Sequence, residues 1–145
     1  MRHAILITAA VLLGSGTAFA QRQSCDNHIL SHTYGVQISG SRPSAPGPLA
    51  PTEPVVGVGL AHFDGRGGYT QTGWTHGGIS GVASAASATG TYNVNPDCSG
   101  TVTFQYAGQP FAIHVAIVVV GDGDEVKGAT MEPAGILVTA NWRQR

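Results

Sequence analysis

The run Gly90-Thr91-Tyr92-Asn93-Val94-Asn95-Pro96-Asp97-Cys98-Ser99-Gly100-Thr101-Val102-Thr103-Phe104 constrains this chain more than any other stretch. Thr, Val and aromatic residues alternate on both sides of an Asn-Pro-Asp turn, so the run predicts an antiparallel hairpin with a cysteine at its tip. Upstream, Val56 to Phe63 and Tyr69 to His76 flank Asp64-Gly65-Arg66-Gly67 and repeat the pattern. If Gly65-Arg66 is a two-residue loop, Gly57 lies opposite Trp74, His62 opposite Tyr69 and Phe63 opposite Gly68. An Asp64-Gly65 loop shifts that pairing, and the sequence leaves the register open.

The same period of two recurs along the chain, giving eight strands near 31-39, 55-63, 68-76, 80-94, 100-107, 111-120, 124-131 and 135-142. Eight is the number at which an up-and-down antiparallel sheet closes around an interior just wide enough for side chains or one small ligand. The expected fold is therefore all-β, an antiparallel eight-stranded closed barrel of calycin-like form, with a two-sheet β-sandwich as the alternative. Ile79 to Val94 is dominated by Ser, Ala, Gly and Thr; it reads as a long strand against which something packs very close, a short helix over Val82 to Ala88 being the alternative. Residues 41-54 hold five of the eight prolines and read as a solvated loop, because proline lacks the amide that a central strand needs. Residues 111-120 are apolar on both faces, which predicts burial of the outer face in a homo-oligomer.

Residues 1-20 read as an export signal that precedes this domain. Arg2 supplies a basic start, Ile5 to Leu13 an apolar core too short to span a bilayer, and Ala18-Phe19-Ala20 a cleavage site. The domain is then 21-145, one core in a periplasmic or extracellular setting. Without Arg2 it carries six Lys and Arg against eight Asp and Glu. Such a balance offers no basic patch to nucleic acid and no polybasic segment to anionic lipid, so neither nucleic-acid binding nor stable membrane insertion is expected. Charged residues are only 10% of the chain, while glycine occurs 21 times; with apolar periodicity this suits a tightly curved sheet rather than disorder. Cys25 and Cys98 are expected to form a disulfide in an exported chain, two free thiols being the alternative.

Five histidines follow the signal: His28, His32, His62, His76 and His114. On an extended chain His28 and His32 lie roughly 13 Å apart, too far to share a metal ion. His114 sits mid-strand with Ala112 and Ala116 on its own face and reads as a hydrogen-bonded buried histidine; the alternative is a lumenal imidazole with room to move protons. His62 is the second candidate, beside Tyr69. No Gly-x-Ser-x-Gly elbow or phosphate-binding glycine loop is present. Asp122-x-Asp124 lacks the further ligands of a calcium loop, and Glu125 and Glu132 fall on opposite strand faces. No metal and no cofactor is expected. Tyr69, Trp74, Tyr92 and Phe104 are the candidate ligand-binding residues, together with Trp142 either lining the lumen or filling it.

The stretch Gly57-Val58-Gly59 through Phe63-Asp64-Gly65-Arg66-Gly67, followed by Gly90 to Thr101, resembles small exported bacterial proteins, and the strand order is similar to the allene oxide cyclase and dirigent type of eight-stranded barrel. The resemblance implies an antiparallel barrel, possible trimers, and an apolar cavity that steers cyclisation or coupling of small molecules by shape. Two functions are therefore expected from different classes. One is a non-catalytic module binding a small apolar ligand or a protein partner. The other is a cofactor-free isomerase or cyclase using His114 or His62, which requires an open lumen with one of them on its wall. A sandwich-type adhesion protein would instead show two sheets with free edges.

Overall fold

A computed structural model describes residues 24–47 and 49–145. The export signal expected over residues 1-20 lies outside the described residues. Eight strands run β1 Thr33–Pro43, β2 Thr52–Phe63, β3 Gly68–Gly77, β4 Gly81–Val94, β5 Ser99–Tyr106, β6 Ile113–Val120, β7 Glu125–Glu132 and β8 Leu137–Gln144. Each pairs antiparallel with its neighbours in sequence, and β1 pairs with β8, Val36 opposite Trp142, so the sheet closes into a barrel. Closure removes both free edges and decides against the sandwich.

Every strand is close to its predicted limits, with two informative departures. The proline-rich segment is shorter than expected, because β1 runs on to Pro43 and β2 begins at Thr52, with Arg42 opposite Glu53 and Ser41 opposite Pro54. Pro54 is tolerated because its carbonyl faces β3, accepting from the Gly78 amide at 2.9 Å where that ladder ends. Its missing N–H therefore costs no bond to β1. Over Ile79 to Val94 the strand expectation holds, and a bulge between Gly73 and Thr75 lets two residues of β4 oppose Trp74.

The β2–β3 hairpin adopts neither register considered from sequence. Phe63 pairs with Tyr69, Val58 with Trp74 and Gly57 with Thr75. The loop is longer because the Asp64 carboxylate accepts the amides of Arg66 at 2.7 Å and Gly68 at 2.8 Å, which also hold that carboxyl below the usual range. The one-residue slip exchanges faces. Trp74 thereby joins the face of Val58 and His62, which points outward, while Tyr69 joins Phe63 on the face that points in.

One end of the barrel is stoppered by residues 24–32, which make a short 3-10 turn at Asn27–Ile29. Leu30 is wholly buried there. The Asn27 side chain accepts from the Val94 amide at 2.7 Å, and the Leu30 carbonyl accepts from Gly65 at 3.0 Å. The expected disulfide Cys25–Cys98 is present and ties this stopper to the tip of the β4–β5 hairpin.

Candidate functional site

The interior is built from the inward residues of all eight strands, and aromatic rings fill its stoppered half. Phe63 is the hub, in edge-to-face contact with Tyr34, Tyr69, Tyr92 and Trp142 at centroid distances of 5.3, 4.9, 5.0 and 6.3 Å. Phe104 lies 5.5 Å from Tyr69. Each such pair adds about 0.5–1.5 kcal/mol to the burial of its area. Room for the rings comes from small residues elsewhere on the wall. A Cβ on Gly128 would lie 2.7 Å from the Trp142 ring, and one on Gly59 would lie 2.8 Å from Gly73 Cα across the ladder.

The polar tips of these rings are satisfied internally. Trp142 Nε1 donates to the Tyr69 hydroxyl at 3.3 Å, Tyr69 donates to Gln71 Oε1, and Gln71 Nε2 donates to the Tyr106 hydroxyl at 3.0 Å. The Tyr34 hydroxyl donates to the Gly123 carbonyl at 2.7 Å, and that of Tyr92 lies 2.9 Å from the Asn27 and Leu30 carbonyls. Burial pushes Tyr34 up to about 12, with Tyr92 and Asp124 adding to the shift, and burial also raises Tyr69, Tyr92 and Tyr106. A phenol held neutral in this way is no proton acceptor near neutral pH. Beside Gln71 and Tyr106 remains a cavity of about 10 Å³, room for roughly one water molecule.

Of the residues expected to bind a ligand, Tyr69, Tyr92 and Phe104 are inward and packed. Trp74 is on the outer face, 54% exposed. Both histidine candidates also face out, which corrects their expected place on the lumen wall. His114 shares the outer face with Ala116, as the alternation implied; its Nδ1 lies 3.1 Å from Thr103 Oγ1 and its Nε2 lies 3.9 Å from Glu132. The inward face of β6 belongs to Val115, Ile117 and Val119. His62 Nδ1 lies 3.4 Å from Thr33 Oγ1, outside the barrel. Among the described residues no cluster of His, Cys, Asp or Glu could hold a metal ion.

Sequence reasoning passed over Glu53, which is completely buried at the end away from the stopper. Its Oε2 accepts the amides of Ile79 at 2.8 Å and Ser80 at 2.7 Å; its Oε1 accepts from the Ser80 hydroxyl at 2.7 Å and Arg42 Nε at 3.1 Å. The Ser80 amide and hydroxyl, then the Ile79 amide and Arg42, lower its carboxyl to about 2. This is a latch, joining the β1–β2 arch to the β3–β4 turn. The one signal for it in the sequence was a single acid and a single arginine on either side of the prolines.

The chemistry left to solvent lies on the outer wall. Within the strands β1 to β6 the only charged residues are Arg42 and Glu53, which bind each other; Asp64, Arg66 and Asp97 lie in the connecting turns. On that uncharged wall Val56, Val58 and Leu60 of β2 project outward in a row, Trp74 of β3 stands opposite Val58, and Val82 of β4 stands opposite His76, itself opposite Val56. Charged strand residues otherwise fall on β7 and β8, at Glu125, Lys127, Glu132 and Arg143.

Comparison with protein-family models, curated proteins and solved structures finds no match to this chain.

Proposed function

We propose that this protein is an exported, non-catalytic binding module that engages a protein partner through the outer wall of β2 and β3. The observation that carries this reading is the pairing of a packed interior with a solvent-facing apolar row. An open interior was the condition for a lumenal isomerase or cyclase, and both histidines it needed are outside. A small apolar ligand in the lumen meets the same obstacle, a void of about 10 Å³ against the 300–1,000 Å³ typical of ligand pockets. Likeness to the allene oxide cyclase and dirigent barrels thus supports the strand order more than the cavity chemistry.

Export is supported by the Arg2, Ile5 to Leu13 and Ala18-Phe19-Ala20 pattern and by a disulfide whose Cys25 is buried, the usage of an oxidising compartment. Among the described residues no helix is long and apolar enough to cross a membrane. The barrel's inward face is aromatic and aliphatic, and its outer face carries many Ser and Thr besides the apolar row of β2 and β3, unlike the polar interior and continuous apolar band of a membrane-spanning barrel.

The chain has two tryptophans, one on each side of the wall, which makes the test direct. Contact quenching by trichloroethanol should strike the Trp74 emission of Trp142→Phe and spare the Trp142 emission of Trp74→Phe. Native mass spectrometry of the exported protein should show no small molecule retained. Saturable quenching of Trp142, or a co-purified apolar compound, would restore the lumen as the site.

A further inference from the structure

We infer that the partner for the β2–β3 wall is a second copy of this chain, docked through a twofold contact centred on Val58 and Trp74. The inference rests on the binding-module reading and adds the occupant. Val56, Val58, Leu60, Trp74 and Val82 are 57, 60, 46, 54 and 73% exposed. Together they present on the order of 500 Å² of apolar surface, at the upper end of what a solitary domain leaves open. A standard interface buries about 800 Å² per partner, and neighbours that are neither carboxylate, lysine nor arginine, Gln37, Ser39, Thr72 and His76, surround the row on the same face.

Charge decides between occupants. A basic or acidic partner would be met by complementary side chains, and an anionic membrane by lysine or arginine. The outward strand faces of β2 and β3 offer neither among the described residues: the one acid and one arginine carried by strands β1 to β6 bind each other at the barrel mouth, and Asp64 and Arg66 lie beyond the row in the β2–β3 loop. An uncharged apolar patch is complementary to itself, as a twofold contact requires, since each residue near the axis meets the same patch on its partner. Val58 and Trp74 are directly opposed in the ladder at the middle of the row, which puts an aromatic anchor at the centre, where binding energy concentrates. The outer face of β6, where the sequence alone places an oligomer contact, is less suited. Val118 is exposed there, but Lys127 and Ser99 flank it directly.

Sedimentation velocity on the disulfide-intact exported protein, from micromolar to millimolar, should show a concentration-dependent dimer. Val58→Glu should weaken it at least tenfold while leaving the far-ultraviolet spectrum and melting unchanged, and Val118→Glu should leave it in place. In Trp142→Phe the Trp74 emission should shift to the blue as the dimer forms. A monomer at every concentration overturns the inference, as does a dimer that Val118→Glu breaks and Val58→Glu does not. So does a monomer that adsorbs to phosphatidylcholine vesicles through Trp74. The binding-module reading fails separately, by saturable quenching of Trp142.

Discussion

At the scale of single residues, Glu53 and Gly128 carry opposite lessons. Glu53 is a charge that the fold can bury because four donors converge on it, two of them backbone amides. Its folded pKa of about 2 lies below the ordinary 4.5. A depressed carboxyl contributes stability that is fully present above the unfolded value and disappears as pH falls through the folded one. The wild-type melting temperature should therefore drop between about pH 4.5 and 2. Glu53→Gln should melt lower at pH 7 and lose that part of the pH dependence; a parallel acid profile for the variant would show that the latch is not the titrating element. Gly128 sits where a side chain would strike Trp142 and Val115. Gly128→Ala should cost about 1–3 kcal/mol by overpacking, measured by urea unfolding.

At the scale of elements, the β2–β3 hairpin shows what a single loop decides. Both strands were legible from alternation, yet alternation does not say which face looks inward when each face is apolar. Asp64 settles the pairing by gathering two amides and lengthening the loop, which puts Trp74 on the face of Val56, Val58 and Leu60 and Tyr69 on the face of Phe63; that second face is the one turned in. The slip moves Trp74 onto the face of Val58 and His62, and that whole face is turned to solvent. The cysteine pairing was legible because an even pair in an exported chain has few other uses. What it holds was only partly so, since the stopper over the aromatic hub depends on Leu30, Asn27 and Tyr92 meeting in space. The two cysteines are 73 residues apart in sequence, for which loop entropy gives about 4 kcal/mol. A Cys25→Ser, Cys98→Ser double variant should lose stability of that order in chemical denaturation, and wild-type protein treated with a dithiol reductant should unfold at the same midpoint as the variant.

At the scale of the whole molecule, stability rests on closure, because β1 has β8 as its second partner and Trp142 of β8 completes the ring around Phe63. Truncation after Pro133, which removes β8, should abolish the cooperative thermal transition rather than lower its midpoint, since β1 and β7 would both become open edges. The sequence by itself determined the strand count and the strand limits to within a few residues, which follow from local alternation and turn residues; it made the closed form and the crosslink the expected outcomes, and the pairing of β1 with β8 and of Cys25 with Cys98 decided them against a sandwich and two free thiols. Only the tertiary structure decided which side of the wall each residue occupies. An eight-stranded interior is narrow, and once Tyr34, Phe63, Tyr69, Tyr92, Phe104 and Trp142 fill it, volume rather than hydrophobicity selects its remaining members. Gly57, Gly59 and Ala61 fit, and the valines and leucine beside them are left facing solvent.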